Sequence, residues 1–282
     1  MKAAVKKILP RPVKTVLRRA YNSLAGGGHA APVRQDENGM TGGLLPPQEL
    51  QAYVGGGFVG VGAEFLRHFV ELCDLKPHES VLDVGCGSGR MALPLMDYLN
   101  ERGRYEGFDI SEDAVKWCSE NITAKFPHFK FQAAEIHNAA YRTNTKQQAS
   151  DFRFPYGDEE FDFVFLTSVF THMLPADLEH YFEEITRVMK RGGRCLITFF
   201  LLNDESTALI DNLKGEYNFE HRGEGYRTIN KDRPEDAVAY SEHFIRGLYE
   251  KYGFKVREPI RYGLWCGRIK YLSFQDIVIA VK

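Results

Sequence analysis

The residues best suited to chemistry lie in VLDVGCGSGR, Val81 to Arg90, where Gly85, Gly87 and Gly89 follow an aspartate that ends an apolar run. Glycine at 85 and 87 removes side chains where a ligand would lie against the backbone, and Gly89 lets the chain turn tightly into a helix. A dinucleotide turn of the GxGxxG type needs glycine at position 90, which is Arg90. The Asp83 carboxylate would repel a pyrophosphate and favour an ammonium group. Asp109 closes the second apolar strand, where an acidic side chain can accept from both hydroxyls of a ribose, and Ile110 can cover a purine. The ligand expected is cationic near Asp83 and carries an adenosine-like portion. The alternative for both aspartates is a structural cap at the end of a buried strand.

These residues need a scaffold that delivers them to one edge. Ser80 to Val84, RYEGFDI, HFKFQAA, FDFVFLT and RCLITFF read as five strands. Helices are expected before Pro77, over Arg90 to Asn100, from the Ser111 cap to about Ala124, and from Pro175 to the Gly192-Gly193 pair. Alternating strands and helices give an α/β fold with a parallel sheet wrapped on both faces. GFKVREPIRYG and FQDIVIAVK follow as two strands without a helix between them, so an antiparallel partner is expected at the sheet edge. In open sheets of this kind ligands bind where a strand runs into its helix.

The same segments, in the same order, resemble the class I S-adenosylmethionine-dependent methyltransferases: VLDVGCGSGR, YEGFDIS, FQAAEIH, FDFVFLTSVFTHM and RVMKRGGRCLITFF, over roughly Gly55 to Lys282. The resemblance implies a seven-stranded, mostly parallel, doubly wound sheet with an antiparallel last strand. It implies S-adenosyl-L-methionine as cofactor, with Asp83, Gly85, Cys86 and Gly87 around the methionine portion, Asp109 at the ribose and Ile110 at the adenine. Glu135, followed by Ile136, stands where the family places an acid on the adenine amino group, although an aspartate is usual there. Its alternative is a solvated loop carboxylate. AYVGGGFVGVG resembles an entry segment that folds across the cofactor in some members, placing Tyr53, Gly55 and Gly56 near the methionine carboxylate; the alternative is a plain linker.

TSVFTHM lies where the family puts its acceptor. His172 is the candidate general base, since a free imidazole titrates near pH 6.5, and Ser168 and Phe170 are expected to line the pocket. The alternative for His172 is a packing or capping role. A segment from His137 to Tyr156 and an insertion over about 202–240 are long enough to act as lids. Tyr226, Arg227, Tyr240, Trp265 and Arg268 could offer stacking faces and anion contacts to an acceptor. Neither DPPY nor NPPY follows the fourth strand and no Pro-Cys pair occurs, which counts against adenine N6 and cytosine C5 methylation. No metal is called for.

With 44% apolar residues the 282-residue chain can fill a sizeable core. The net charge of -2 argues against a general nucleic-acid binder. Residues 1–35 nevertheless carry eight Lys or Arg and no acid, and Val13 to Leu24 follow helical spacing after Pro12. Residues 1–47 are therefore expected as a basic amphipathic helix and flexible linker, with weak membrane-surface contact as one use of that helix. Residues 48–282 form the expected methyltransferase domain. Five scattered cysteines without a CxxC pair, no spanning apolar run and no secretory core point to the cytoplasm, with peripheral membrane association as a variant.

The function expected is methylation of a small molecule, favouring a hydroxyl of a sugar, glycolipid or natural product. An N-methyltransferase of an amine or protein side chain is the nearest rival. Readings of another class are an NAD-dependent oxidoreductase and a catalytically silent cofactor-binding module.

Overall fold

The structure is a computed structural model that describes residues 43–136, 147–213 and 217–282. The basic helix and most of the linker read over residues 1–47, and residues 137–146 of the His137 to Tyr156 segment, lie outside the described residues. Two compact units divide the chain after Ala134.

The first unit runs α1 (Gln48–Tyr53), α2 (Phe58–Glu71), β1 (Ser80–Val84), α3 (Ala92–Tyr98), β2 (Arg104–Asp109), α4 (Glu112–Cys118) and β3 (Phe129–Ala133). α2 places Phe58, Phe65 and Phe69 on one buried face, as its spacing predicts. α4 begins where Ser111 Oγ accepts the Ala114 N–H, with Glu112 and Asp113 in its first turn, a favourable sign for the helix dipole. It continues as a wider π turn over Ser119–Thr123, so the expected helix to about Ala124 changes form halfway. β1 pairs β2 and β2 pairs β3, all parallel. The Tyr105 ring stacks on Phe129 at 5.0 Å.

The second unit runs β4 (Phe161–Leu166), α5 (Pro175–Val188), β5 (Met189–Phe199), β6 (Leu201–Leu202), α6 (Asp204–Leu213), β7 (His221–Gly223), β8 (Tyr226–Thr228), β9 (Val238–Ser241), α7 (Glu242–Lys251), β10 (Lys255–Val256) and β11 (Asp276–Val281). Pro175 opens α5, where its missing N–H costs nothing, and Leu178, Tyr181, Phe182, Ile185 and Val188 form the buried face. The glycine pair does not stop this helix. α5 ends at Val188, Met189 is already extended, and Gly192-Gly193 sit inside β5 where the register on β4 jumps from Phe161↔Met189 to Phe163↔Arg194. The expected strand GFKVREPIRYG shortens to β10 and one bridge at Arg261, because Pro259 has no N–H to give a ladder.

Seven strands form one sheet in the order β10-β11-β5-β4-β1-β2-β3. It is mostly parallel, and β11, the last strand, runs antiparallel to both neighbours. A second sheet of order β6-β9-β8-β7 occupies most of the insertion read as a lid. Among the described residues no helix is long and apolar enough to cross a membrane.

Candidate functional site

The glycine turn leaves β1 with Gly85, Gly87 and Gly89 all at positive φ. A Cβ on Gly87 would lie 2.3 Å from Val54 Cγ1, and one on Gly89 would meet Cys118 and Ile122 at 3.1 Å, so neither position admits a side chain without displacement. The Gly85 and Cys86 N–H groups donate to the Phe108 carbonyl at the end of β2, at 2.9 and 3.0 Å. The Cys86 thiol is buried and pushed well up by burial, which makes it a packing group rather than a nucleophile.

Two carboxylates flank this turn. Asp83, 1% exposed, accepts the Tyr105 hydroxyl on Oδ2 at 2.6 Å, while its buried Oδ1 has no partner among the described residues. Burial pushes its pKa up to about 8, against the Tyr105 hydrogen bond and with help from the Asp109 charge. An unpaired buried acceptor costs about 1–3 kcal/mol, more if charged, and a cationic or N–H-bearing ligand would recover it. Asp109 accepts the Gly87 N–H on Oδ2 at 2.8 Å and, on Oδ1, the Ser111 N–H at 2.8 Å and the Tyr53 hydroxyl at 2.9 Å. Burial raises its pKa, with those donors acting in the opposite direction.

The segment carrying Tyr53 is docked on the turn at two further points. Ser88 Oγ donates to the Leu50 carbonyl at 2.9 Å and an Arg90 guanidinium nitrogen to the Val54 carbonyl at 2.7 Å. Tyr53, expected near a methionine carboxylate, thus has its hydroxyl on Asp109. Gly55 sits beside Arg90 at positive φ, Gly56 is exposed, and Ile110 is half-buried at the end of β2. Glu135 is exposed and Ile136 buried, at the start of the second unit. Chemically, the turn offers at Asp83 a buried carboxyl that a cationic ligand would favour in its ionised form, and at Asp109 a carboxyl group that takes hydroxyl donors.

In the second unit, the 3-10 turn Phe170–His172 follows β4. The His172 Nδ1 is 3.0 Å from the Glu235 carbonyl, an acceptor that favours a proton on that nitrogen. Burial lowers its pKa, with the Glu235 carbonyl and the Asp236 charge opposing, so the imidazole stays neutral at lower pH than a free one. Ser168 is held at φ 61 by two bonds: its N–H donates to Thr198 Oγ1 at 2.8 Å and its hydroxyl to Gln275 Oε1 at 3.0 Å. A non-glycine residue at such φ costs of order 1–3 kcal/mol and persists where neighbours impose it.

Other expected lining residues make contacts within the second unit. Phe170 is fully buried and stacked on Phe182 at 5.5 Å. Tyr240 is buried with its hydroxyl on the Met173 carbonyl at 2.6 Å. Trp265 Nε1 and Arg268 Nη1 both donate to Asp276, at 2.7 and 3.1 Å. Tyr226 and Arg227 lie half-buried on β8, and Arg227 faces Asp211 at 3.3 Å. Sequence reasoning missed Thr171, Asp236 and Gln275. Thr171 was within the quoted TSVFTHM, whereas Asp236 had only an acidic pair after Pro234 as its signal.

A family described as a methyltransferase domain matches residues 75–240. Among curated proteins, phosphoethanolamine N-methyltransferase of Triticum aestivum is 29% identical over 145 residues, 51% of this chain and 25% of that protein. Demethylmenaquinone methyltransferase of Bacillus cereus (strain ATCC 10987 / NRS 248) is 29% identical over 135 residues, 47% of this chain and 50% of that protein. The chain thus spans a quarter to a half of the length of these relatives. The solved PH0226 protein from Pyrococcus horikoshii OT3 shares the fold, with a TM-score of 0.53 at 18% identity over 83% of this chain and 92% of that one.

Proposed function

Because the chain belongs to the methyltransferase-domain family, we propose that it uses S-adenosylmethionine to methylate a hydroxyl on a small molecule of the sugar, glycolipid or natural-product kind. The carrying observation is the unpaired buried Oδ1 of Asp83 beneath a side-chain-free turn, with Asp109 at the next strand end. These residues fit that cofactor. Asp83 and the turn would hold the methionine portion with its ammonium, Asp109 the ribose, and Ile110 an adenine face, with Glu135 and Ile136 as further adenine contacts. Bound there, the cofactor supplies an electrophilic sulfonium methyl.

The rest is the work of this chain's own residues. His172 would take the proton of the acceptor hydroxyl, leaving that oxygen more nucleophilic toward the methyl group the bound cofactor would supply. A placed base contributes typically about 10² to 10⁴-fold. The lowered pKa of His172 keeps the base in its accepting form at neutral pH. Positioning supplies the larger share, roughly 7–11 kcal/mol in favourable model systems. We place the reaction in the cytoplasm, where five buried cysteines outside any disulfide would stay reduced.

An amine acceptor is the second reading, favoured by the relative named as a phosphoethanolamine N-methyltransferase. The NAD-dependent alternative is set aside by the family match. Methyl-tritiated S-adenosylmethionine added with a cell extract, followed by mass spectrometry of the labelled product, tests the proposal. A methyl ether supports it and a methylamine moves the reading to nitrogen. Cofactor binding with no labelled product points to a silent cofactor-binding module.

A further inference from the structure

Two short turns in the second unit are tied together. The turn Phe170–His172 meets the turn Pro234–Asp236 through the bond between His172 Nδ1 and the Glu235 carbonyl, 3.0 Å. Each turn also carries a buried side-chain oxygen that has no partner among the described residues: Thr171 Oγ1, on a residue 1% exposed, and Asp236 Oδ1, on a residue 4% exposed. Buried polar atoms in folded proteins are nearly always paired. Two exceptions on bonded turns, one adjacent in sequence to the imidazole and one adjacent to its carbonyl partner, need a common explanation.

The charge around Asp236 narrows what could pair with it. Its Oδ2 accepts the Asn230 amide at 2.9 Å and the Arg233 guanidinium at 3.0 Å. That carboxylate already has a cation, so its remaining oxygen suits a neutral hydroxyl donor better than a second positive charge. The Thr171 hydroxyl both donates and accepts, and so matches another hydroxyl equally well.

Resting on the hydroxyl-acceptor reading above, we propose that Thr171 and Asp236 form, with His172, a binding site for a polyhydroxylated acceptor. One hydroxyl of that molecule loses its proton to His172 and is methylated, while its neighbours bond to Asp236 Oδ1 and Thr171 Oγ1. The two residues are binding groups that recognise a run of adjacent hydroxyls, as on a sugar ring or a cyclic polyol.

Thr171→Val gives a test in which loss of folding does not intrude. Valine keeps the shape, and the hydroxyl it removes makes no bond among the described residues, so the melting temperature should hold or rise. The full chain is assayed with methyl-tritiated S-adenosylmethionine against graded dilutions of a small-molecule cell extract, split by cation exchange into cationic and non-cationic pools. Label should enter the non-cationic pool. Thr171→Val should raise the half-saturating extract concentration by about fivefold or more, with a smaller change in maximal rate, and Asp236→Asn should raise it further. Calorimetric affinity for S-adenosylhomocysteine should stay unchanged in both variants. Unchanged half-saturation in Thr171→Val, or label confined to the cationic pool, overturns the inference while the methyltransferase reading stands. If the wild-type chain labels neither pool, that reading falls and the inference falls with it.

Discussion

The Tyr53 hydroxyl donates to Asp109 Oδ1 across 2.9 Å, joining α1 to the end of β2, 56 positions along the chain. The same oxygen takes the Ser111 N–H, and the other takes the Gly87 N–H. A ribose arriving at Asp109 therefore competes with Tyr53. Tyr53→Phe removes the competitor while the Leu50 and Val54 carbonyl contacts remain. S-Adenosylhomocysteine should then bind about 3- to 10-fold more tightly by calorimetry, the net worth of one ordinary hydrogen bond. Weaker binding would mean that the Tyr53 hydroxyl redirects its hydrogen bond to the ligand itself.

Asp83 links donor binding to pH. Burial holds its folded pKa at about 8 against an ordinary 3.8. A carboxyl raised in the folded state contributes stability that is full below its unfolded value and is lost as pH rises to the folded one. The empty protein should therefore melt lower at pH 9 than at pH 5, and Asp83→Asn should flatten that slope. A cationic ligand binds the ionised carboxylate, so S-adenosylhomocysteine should bind more tightly from pH 6 to pH 8, before its own ammonium loses its proton, and release a proton near pH 7. Calorimetry in buffers of different ionisation enthalpy reads that proton directly.

His172→Ala should lower turnover by about 10² to 10⁴-fold. S-Adenosylhomocysteine affinity should remain within about twofold, as expected of independent sites. Because burial lowers the His172 pKa below 6.5, the wild-type rate should rise through a pH below that value, and this limb should vanish in the variant. A loss of donor affinity equal to the loss of rate would assign His172 a structural role instead.

Asp276 is wholly buried and accepts from the Leu201 and Gly263 N–H groups, Trp265 Nε1 and Arg268 Nη1. Arg268 is itself buried and also bonds Glu205 at 2.7 Å. Asp276→Ala leaves a buried guanidinium without its main counter-charge, which costs roughly 3–5 kcal/mol. Urea denaturation should show that loss. A stable Asp276→Ala protein with weakened acceptor use would return Arg268 and Trp265 to the acceptor site.

What the sequence disclosed was local. Apolar runs located β1 to β5 and β11, and a first-turn proline located α5, because burial on both faces of a sheet leaves a continuous signature. The second sheet left none: β6 to β9 are two to four residues long and partly exposed, too short for alternation to register. Site residues divide the same way. Asp83 and Asp109 stood at strand ends beside a glycine turn. By contrast, the Glu235 carbonyl beside His172 and the Leu201 N–H on Asp276 lie 63 and 75 positions away, and only tertiary packing brings them in.

The division after Ala134 falls between the two sets of residues proposed to act. The glycine turn, Asp83, Asp109 and Tyr53 all precede it, and Thr171, His172 and Asp236 all follow. On the function proposed above, substitutions in the second set are expected to change which molecule is methylated and substitutions in the first how tightly the donor is held, so the choice of acceptor can be altered in this chain without altering its grip on the donor.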